Sequence, residues 1–169
     1  MIEQVPQPLI DMGGSLRFNL KHGHILASLI LMYSYIDAMA SLIMPEKQKN
    51  VKGEDFTKWV NKYMKTDSNQ PYQYRGIDLW GARCGLVHRY QPHSSLSDRG
   101  ECKLFLYTTR KNHVYESFKS KKVVIISAPR MVRDFYGAMK NFMGDLLKDE
   151  ELIEKTNRRF QRFFQIKVL

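Results

Sequence analysis

Arg83 and His88 are the residues of this chain whose types and spacing could do chemistry together. They stand in "GARCGLVH" (81–88), a stretch with helical apolar spacing. A guanidinium cannot lose its proton, so in apolar surroundings it needs an anion or a dense set of acceptors. Three solutions are open. Asp37, inside the most apolar segment of the chain, could form a structural ion pair with it. A dimer interface could cover it. Or a substrate phosphate could supply the anion, which suits the fork of a guanidinium. Imidazole, as a class, changes charge near neutral pH and can shuttle a proton. Arg for phosphate charge and His for proton transfer suffice to cleave RNA through its own 2′-hydroxyl, and that reaction needs no metal and no other cofactor.

These side chains have to be carried by a helix over "IDLWGARCGLVHRY" (77–90). At about 100° per residue, with Gly81 at zero, Leu79, Trp80, Leu86 and Val87 fall on the buried arc. Arg83 lies near its middle, at about 200°. Asp78, Ala82, Gly85 and Arg89 fall on the solvent side, and His88 sits at the boundary, about 140° from Arg83. One copy of such a helix does not aim both side chains at one point. Two copies around a two-fold axis could bring them together.

Lys and Arg number 27 against 17 Asp and Glu, a formal charge of +10. That surplus favours an anionic partner such as nucleic acid, an acidic protein or an anionic surface. With 169 residues, 43% of them hydrophobic, the chain suits one globular domain. It has no internal repeat, no low-complexity tract and no paired metal-binding cysteine spacing; Cys84 and Cys102 stand alone. "MIEQVPQPLIDMGG" lacks a charged n-region and an apolar h-region, and two isolated thiols without an export signal suggest the cytoplasm. Residues 25–44, "ILASLILMYSYIDAMASLIM", are long enough to span a bilayer. Asp37 would cost about 2.5–3.5 kcal/mol at its centre, so a buried core helix is the expectation and a membrane partner is not.

Along the chain, residues 1–14 read as an irregular arm ending in Gly13 and Gly14, with one helical domain over 15–169. Apolar residues at steps of three and four predict a helix over 25–44, ended by Pro45, and a short amphipathic one over 54–65. The pattern then changes. "CKLFLYTT" (102–109) and "KVVIISA" (122–128) are rich in β-branched and aromatic residues and predict an antiparallel hairpin joined by a polar segment. Ser127 and Pro129 suit a helix start, and 148–164 predicts a last helix, acidic at its beginning and basic at its end. Arg158, Arg159 and Arg162 alternate there with Phe160, Phe163 and Phe164, a mixture that could hold phosphates and stack bases. An amphipathic helix with solvated arginines is the alternative. His22, His24, His93 and His113 show no ligand-like clustering and read as surface or loop residues.

"DLWGARCGLVHRY" followed by "SSLSDRGE" resembles the motif helix and following loop of small HEPN-superfamily proteins. "YSYIDAMASL" (33–42) is similar to their first core helix, and "KVVIISAPRMVRDFYGAMKNFMGDLLKDEELIEKTNRRF" to their closing strand and helical end. The resemblance spans most of residues 20–165. It implies a mainly α, HEPN-like helical bundle, here with a short β-hairpin at about 102–128 before the C-terminal helices. It further implies a homodimer with a composite cleft and, in many members, a metal-independent endoribonuclease of toxin or defence type, held by an antitoxin or other protein partner. Arg83 would bind the scissile phosphate and His88 would transfer protons. Asp37 and Cys84 would support them, with Arg89, Arg158, Arg159 and Arg162 on RNA. Active members usually carry a polar residue directly after the Arg, often Asn, Asp or His; here it is Cys84. The alternative the resemblance leaves is a catalytically inactive dimeric module with Arg83 in a structural pair with Asp37.

Overall fold

The computed structural model describes residues 7–118 and 121–160. The protein is mainly helical. In chain order the elements are α1 (Gln7–Lys21), α2 (Ile25–Ile43), α3 (Gly53–Tyr63), α4 (Gly76–Arg89), the single turn α5 (Ser95–Asp98), strands β1 (Leu104–Thr108), β2 (Val114–Phe118) and β3 (Lys121–Ser127), then α6 (Ala128–Leu146) and α7 (Glu150–Phe160).

The apolar helix α2 is central. Leu29, Met32, Tyr33, Ile36, Met39, Ala40 and Leu42 are fully buried, and it touches α1, α3, α4, α6 and α7. Its length and composition would let it cross a bilayer, but much of it is spent on packing inside the protein. Trp59 of α3 is the largest buried side chain, and Phe135 and Phe142 of α6 meet it ring to ring at 6.2 and 6.0 Å. Aromatic contacts of this kind join the layers of the bundle.

Two expectations are overturned. Residues 7–21 form a helix where an irregular arm was expected up to residue 14. Two consecutive glycines weaken a helix by about 1 kcal/mol each. Here tertiary packing outweighs that cost, because Leu16 is fully buried, Met12 and Leu20 pack on the core, and Tyr136 donates its hydroxyl to the Gly13 carbonyl at 2.7 Å. The hairpin over 102–128 is a three-stranded mixed sheet of order β1-β3-β2. β1 and β3 run parallel, with Leu104 opposite Val123 and Thr108 opposite Ser127, and β2 pairs antiparallel with β3. Parallel neighbours cannot be joined by a tight turn. The segment taken as a polar connection is the crossover between them, and it contains a strand of its own, "VYESF", paired with β3. The start of α6 agrees with expectation: the Ser127 side chain caps it by accepting from the Arg130 N–H.

Candidate functional site

The face that α4 buries is rotated from the one its own spacing predicts, though Leu79 and Leu86 are buried as expected. Asp78, Ala82 and Gly85, expected in solvent, are buried, while Trp80, Arg83, Cys84 and Val87 are only half-buried. The loop over 91–103 explains the rotation. A side chain at Gly85 would lie 2.6 Å from the His93 carbonyl oxygen, and one at Gly81 would strike the Cys102 sulfur. These two glycines let the loop close on the helix. Asp78 then becomes a fully enclosed carboxylate, accepting from Arg75 Nε and Nη2 at 2.8 Å each, from the Tyr72 hydroxyl at 3.1 Å and from the Lys103 N–H at 2.9 Å. With that side covered by loop, Arg83 moves from the centre of the predicted core to its rim.

There it meets two partners. Nε and Nη2 of Arg83 donate to Oδ2 of Asp37 at 2.9 and 2.7 Å, and Nη1 donates to Nε2 of His88 at 2.5 Å. Arg83 and His88 thus converge within one copy, contrary to the expectation that a two-fold axis would be needed. The long guanidinium side chain bridges the angular gap once Asp37, on α2, holds its Nε edge and turns Nη1 toward the histidine. Because a guanidinium can only donate, His88 Nε2 is an acceptor and the ring proton belongs on Nδ1. Trp80 supports the cluster from below, with the Arg83 guanidinium carbon 5.0 Å from its ring centre. The indole packs on Phe56 and against Gly53, where a side chain would lie 2.7 Å from Nε1. Trp80 was read only as a core residue; its place three positions before Arg83, one turn along the helix, was the available signal.

Arg83 is paired, but the cluster is not sealed. The Arg83 and Asp37 side chains keep 17% and 21% of their surface, and His88 is exposed. Asp37 and His88 take three of the five guanidinium N–H groups and Cys84 also hydrogen-bonds to Arg83, so the guanidinium keeps only part of its donor capacity for a ligand. Burial pushes the Asp37 carboxyl above the ordinary aspartate range; the Arg83 hydrogen bond and charge, and the His88 charge, pull it back without cancelling that rise. Burial also raises the Cys84 thiol, against the opposing pull of Arg83, so it remains protonated at neutral pH.

The remaining predicted residues separate. Arg89 is exposed in the last turn of α4, next to His88. Arg158 is exposed and paired with Glu46 at 2.7 Å. Arg159 is turned inward, 9% exposed, and donates to the carbonyls of Ser41 and Pro45 at the end of α2. That role closes off a helix terminus and satisfies its dipole, and it removes Arg159 from any RNA surface. Arg162 lies outside the described residues. His113 is 2% exposed, not the surface residue expected. Its Nδ1 accepts from the Ser127 N–H at 3.0 Å, its Nε2 faces the Tyr74 hydroxyl at 2.8 Å, and that hydroxyl donates to Asp134 at 2.9 Å.

No family model, no curated protein and no solved structure matches the chain.

Proposed function

We propose that the protein is a HEPN-like RNA-binding protein that cleaves RNA without a metal ion, at the Asp37–Arg83–His88 cluster. The observation that carries this reading is the 2.5 Å approach of a half-open guanidinium and an exposed imidazole in one chain. With neutral His88 the cluster has no net charge, because Asp37 balances Arg83. An RNA phosphate entering at the exposed part of the guanidinium competes with His88 for Nη1. Release of Nε2 then lets the imidazole take the proton of the adjacent 2′-hydroxyl. The 2′-oxygen attacks phosphorus, the bond to the 5′-oxygen breaks, and the proton passes to that leaving oxygen. The products are a 2′,3′-cyclic phosphate and a 5′-hydroxyl end, and Arg83 neutralises the charge that builds on the phosphoryl oxygens. Asp37 orients Arg83. Arg89, exposed beside His88, meets a neighbouring phosphate, and the surplus charge of +10 draws the polyanion in. In a homodimer each copy would bring a complete cluster to a shared groove, with an antitoxin or other protein partner covering it.

The two bonds from Arg83 to Asp37 favour a second reading, a binding module in which this pair is structural. One experiment separates the two. Purified protein is incubated with RNA in the presence of a chelator, beside Arg83→Ala and His88→Ala. We expect cleavage by the wild type, a loss of about 10²-fold or more in each variant, and unchanged circular dichroism. A folded wild type that cuts no RNA, with Arg83→Ala unfolded, decides for the module.

A further inference from the structure

A backbone outlier stands beside the cluster. Tyr90 closes α4 in the left-handed conformation, with φ 56° and ψ 31°, and no other non-glycine among the described residues has a positive φ. The loop accounts for the backbone. The carbonyl oxygens of Gln91 and His93 come back onto Gly85, where a side chain would lie 2.7 and 2.6 Å from them, so the chain reverses sharply at the end of the helix. The N–H groups of Tyr90 and Gln91 donate to the carbonyls of Leu86 and Gly85 at 3.1 and 3.2 Å within that reversal. Nothing in the turn asks for a tyrosine. Glycine adopts this conformation freely and is the usual residue at a helix end of this kind, whereas a bulky side chain is strained there. The ring gains no packing in return. It is 65% exposed, the most exposed of the large apolar side chains among the described residues, and it meets no other ring there. Phe18 and Leu147 are nearly as exposed, but they stand on ordinary helical backbone. A single exposed apolar residue is normal, but one held out by a strained backbone calls for a reason.

The surroundings supply one. Tyr90 lies two residues beyond His88 and next to the exposed Arg89. No Asp or Glu stands between Leu79 and Ser97, and Asp37, the carboxylate of the cluster, is held by Arg83. We infer that Tyr90 is a stacking platform for an unpaired nucleobase of the RNA strand bound at the cluster. Its ring would cover one face of the base, while the phosphates on the two sides of that nucleotide meet Arg83 and Arg89. A base inside a duplex already has both faces covered, so such a platform selects single-stranded RNA. The left-handed backbone holds the ring out before the strand arrives, which reduces the freedom lost when a base stacks on it. The inference rests on the reading of this cluster as an RNA site and adds the residue that grips the base.

The test uses the full chain and two short, uncleavable deoxy strands of equal length, oligothymidine and the same backbone without bases. The wild type should bind oligothymidine at least about tenfold tighter than the abasic strand at low salt. Tyr90→Gly should lose that preference and bind both strands alike, while melting at or above the wild-type temperature because the turn is no longer strained. Tyr90→Phe, which keeps the ring, should retain the preference. A lower melting temperature in Tyr90→Gly would show that the ring serves the fold, and a preference retained in that variant would show that the base stacks elsewhere; either result overturns the proposal. So does equal binding of both strands by the wild type: if Arg83→Ala weakens that binding, the RNA site stands and only the platform falls. Binding of neither strand removes the RNA reading of the cluster and the platform with it.

Discussion

Among the described residues two clusters join Arg, Asp and His, and they differ in almost everything except the arginine. Arg83 and Arg130 each keep 17% of their side-chain surface. Around Arg130, Asp134 is 7% exposed and His113 is fully enclosed; around Arg83, Asp37 is 21% exposed and His88 lies in solvent. The ring protons also sit on opposite nitrogens. His113 accepts a backbone N–H at Nδ1, so its proton is on Nε2 and points at the Tyr74 oxygen. His88 accepts from Arg83 at Nε2, so its proton is on Nδ1. In the enclosed cluster His113, Tyr74 and Asp134 are all hydrogen-bonded to neighbours, and the chain of bonds runs from Ser127 through His113 and Tyr74 to Asp134 and Arg130. In the open cluster the histidine's only partner among the described hydrogen bonds is a cation that a phosphate could take away. The same three residue types therefore make an enclosed network in one place and a solvent-facing one in the other, and the carboxylate and the imidazole, not the guanidinium, decide which.

Breaking the enclosed cluster should have the largest effect. Asp134→Ala leaves Arg130 without its main partner and strips the acceptor from the Tyr74 hydroxyl, for a loss of about 3–5 kcal/mol in chemical denaturation. Asp37→Ala should cost no more than about 1 kcal/mol in the same measurement, because its pair with Arg83 is partly hydrated. Equal losses would show that the two clusters are the same kind of object. Next in size is Tyr74→Phe. It removes the hydroxyl that links His113 to Asp134 and leaves the buried His113 Nε2–H without its acceptor, while Arg130 still pairs with Asp134, a loss of about 1–3 kcal/mol. RNA cleavage should be unchanged in Tyr74→Phe at temperatures where the variant is folded.

The difference between the clusters was only partly legible in the sequence. The central helix, the short helix α3, the motif helix and the capped start of α6 follow from apolar spacing and from Ser127, because local pattern and tertiary packing agree there. Arg83 with Asp37 as its candidate anion was legible too, since an arginine in an apolar stretch demands a counter-charge. Three things were not. The burial of Asp78, Ala82 and Gly85 depends on a loop landing on α4, and a helical wheel contains no loop. β2 is short and carries Glu116 and Ser117, so its alternation is weak; its pairing with β3, not its own pattern, makes it a strand. The enclosed cluster joins His113, Tyr74 and Asp134 from three separate segments, and no spacing within one segment announces such a meeting.

The smallest expected effect concerns proton uptake by Asp37, and it tests whether the open cluster is built to take an anion. Burial raises its carboxyl pKa in the folded protein. The folded state therefore binds this proton more readily than the unfolded chain does. It follows that the ionised carboxylate carries a stability penalty above the folded pKa, and that the penalty is relieved as pH falls through that value toward the ordinary aspartate pKa of about 3.9. Relative to Asp37→Asn, which cannot titrate, the wild type should gain stability over that acid window, by less than about 1 kcal/mol because the site is half-open. Binding should follow the same sign. Protonation takes the cluster from neutral toward a net positive charge, so wild-type affinity for an uncleavable 2′-deoxy oligonucleotide should rise as pH falls. Asp37→Asn should bind it more tightly at neutral pH and show a flatter pH profile. If Asp37→Asn instead weakens binding at neutral pH, Asp37 acts chiefly to hold Arg83 in place, and its charge does not compete with the phosphate.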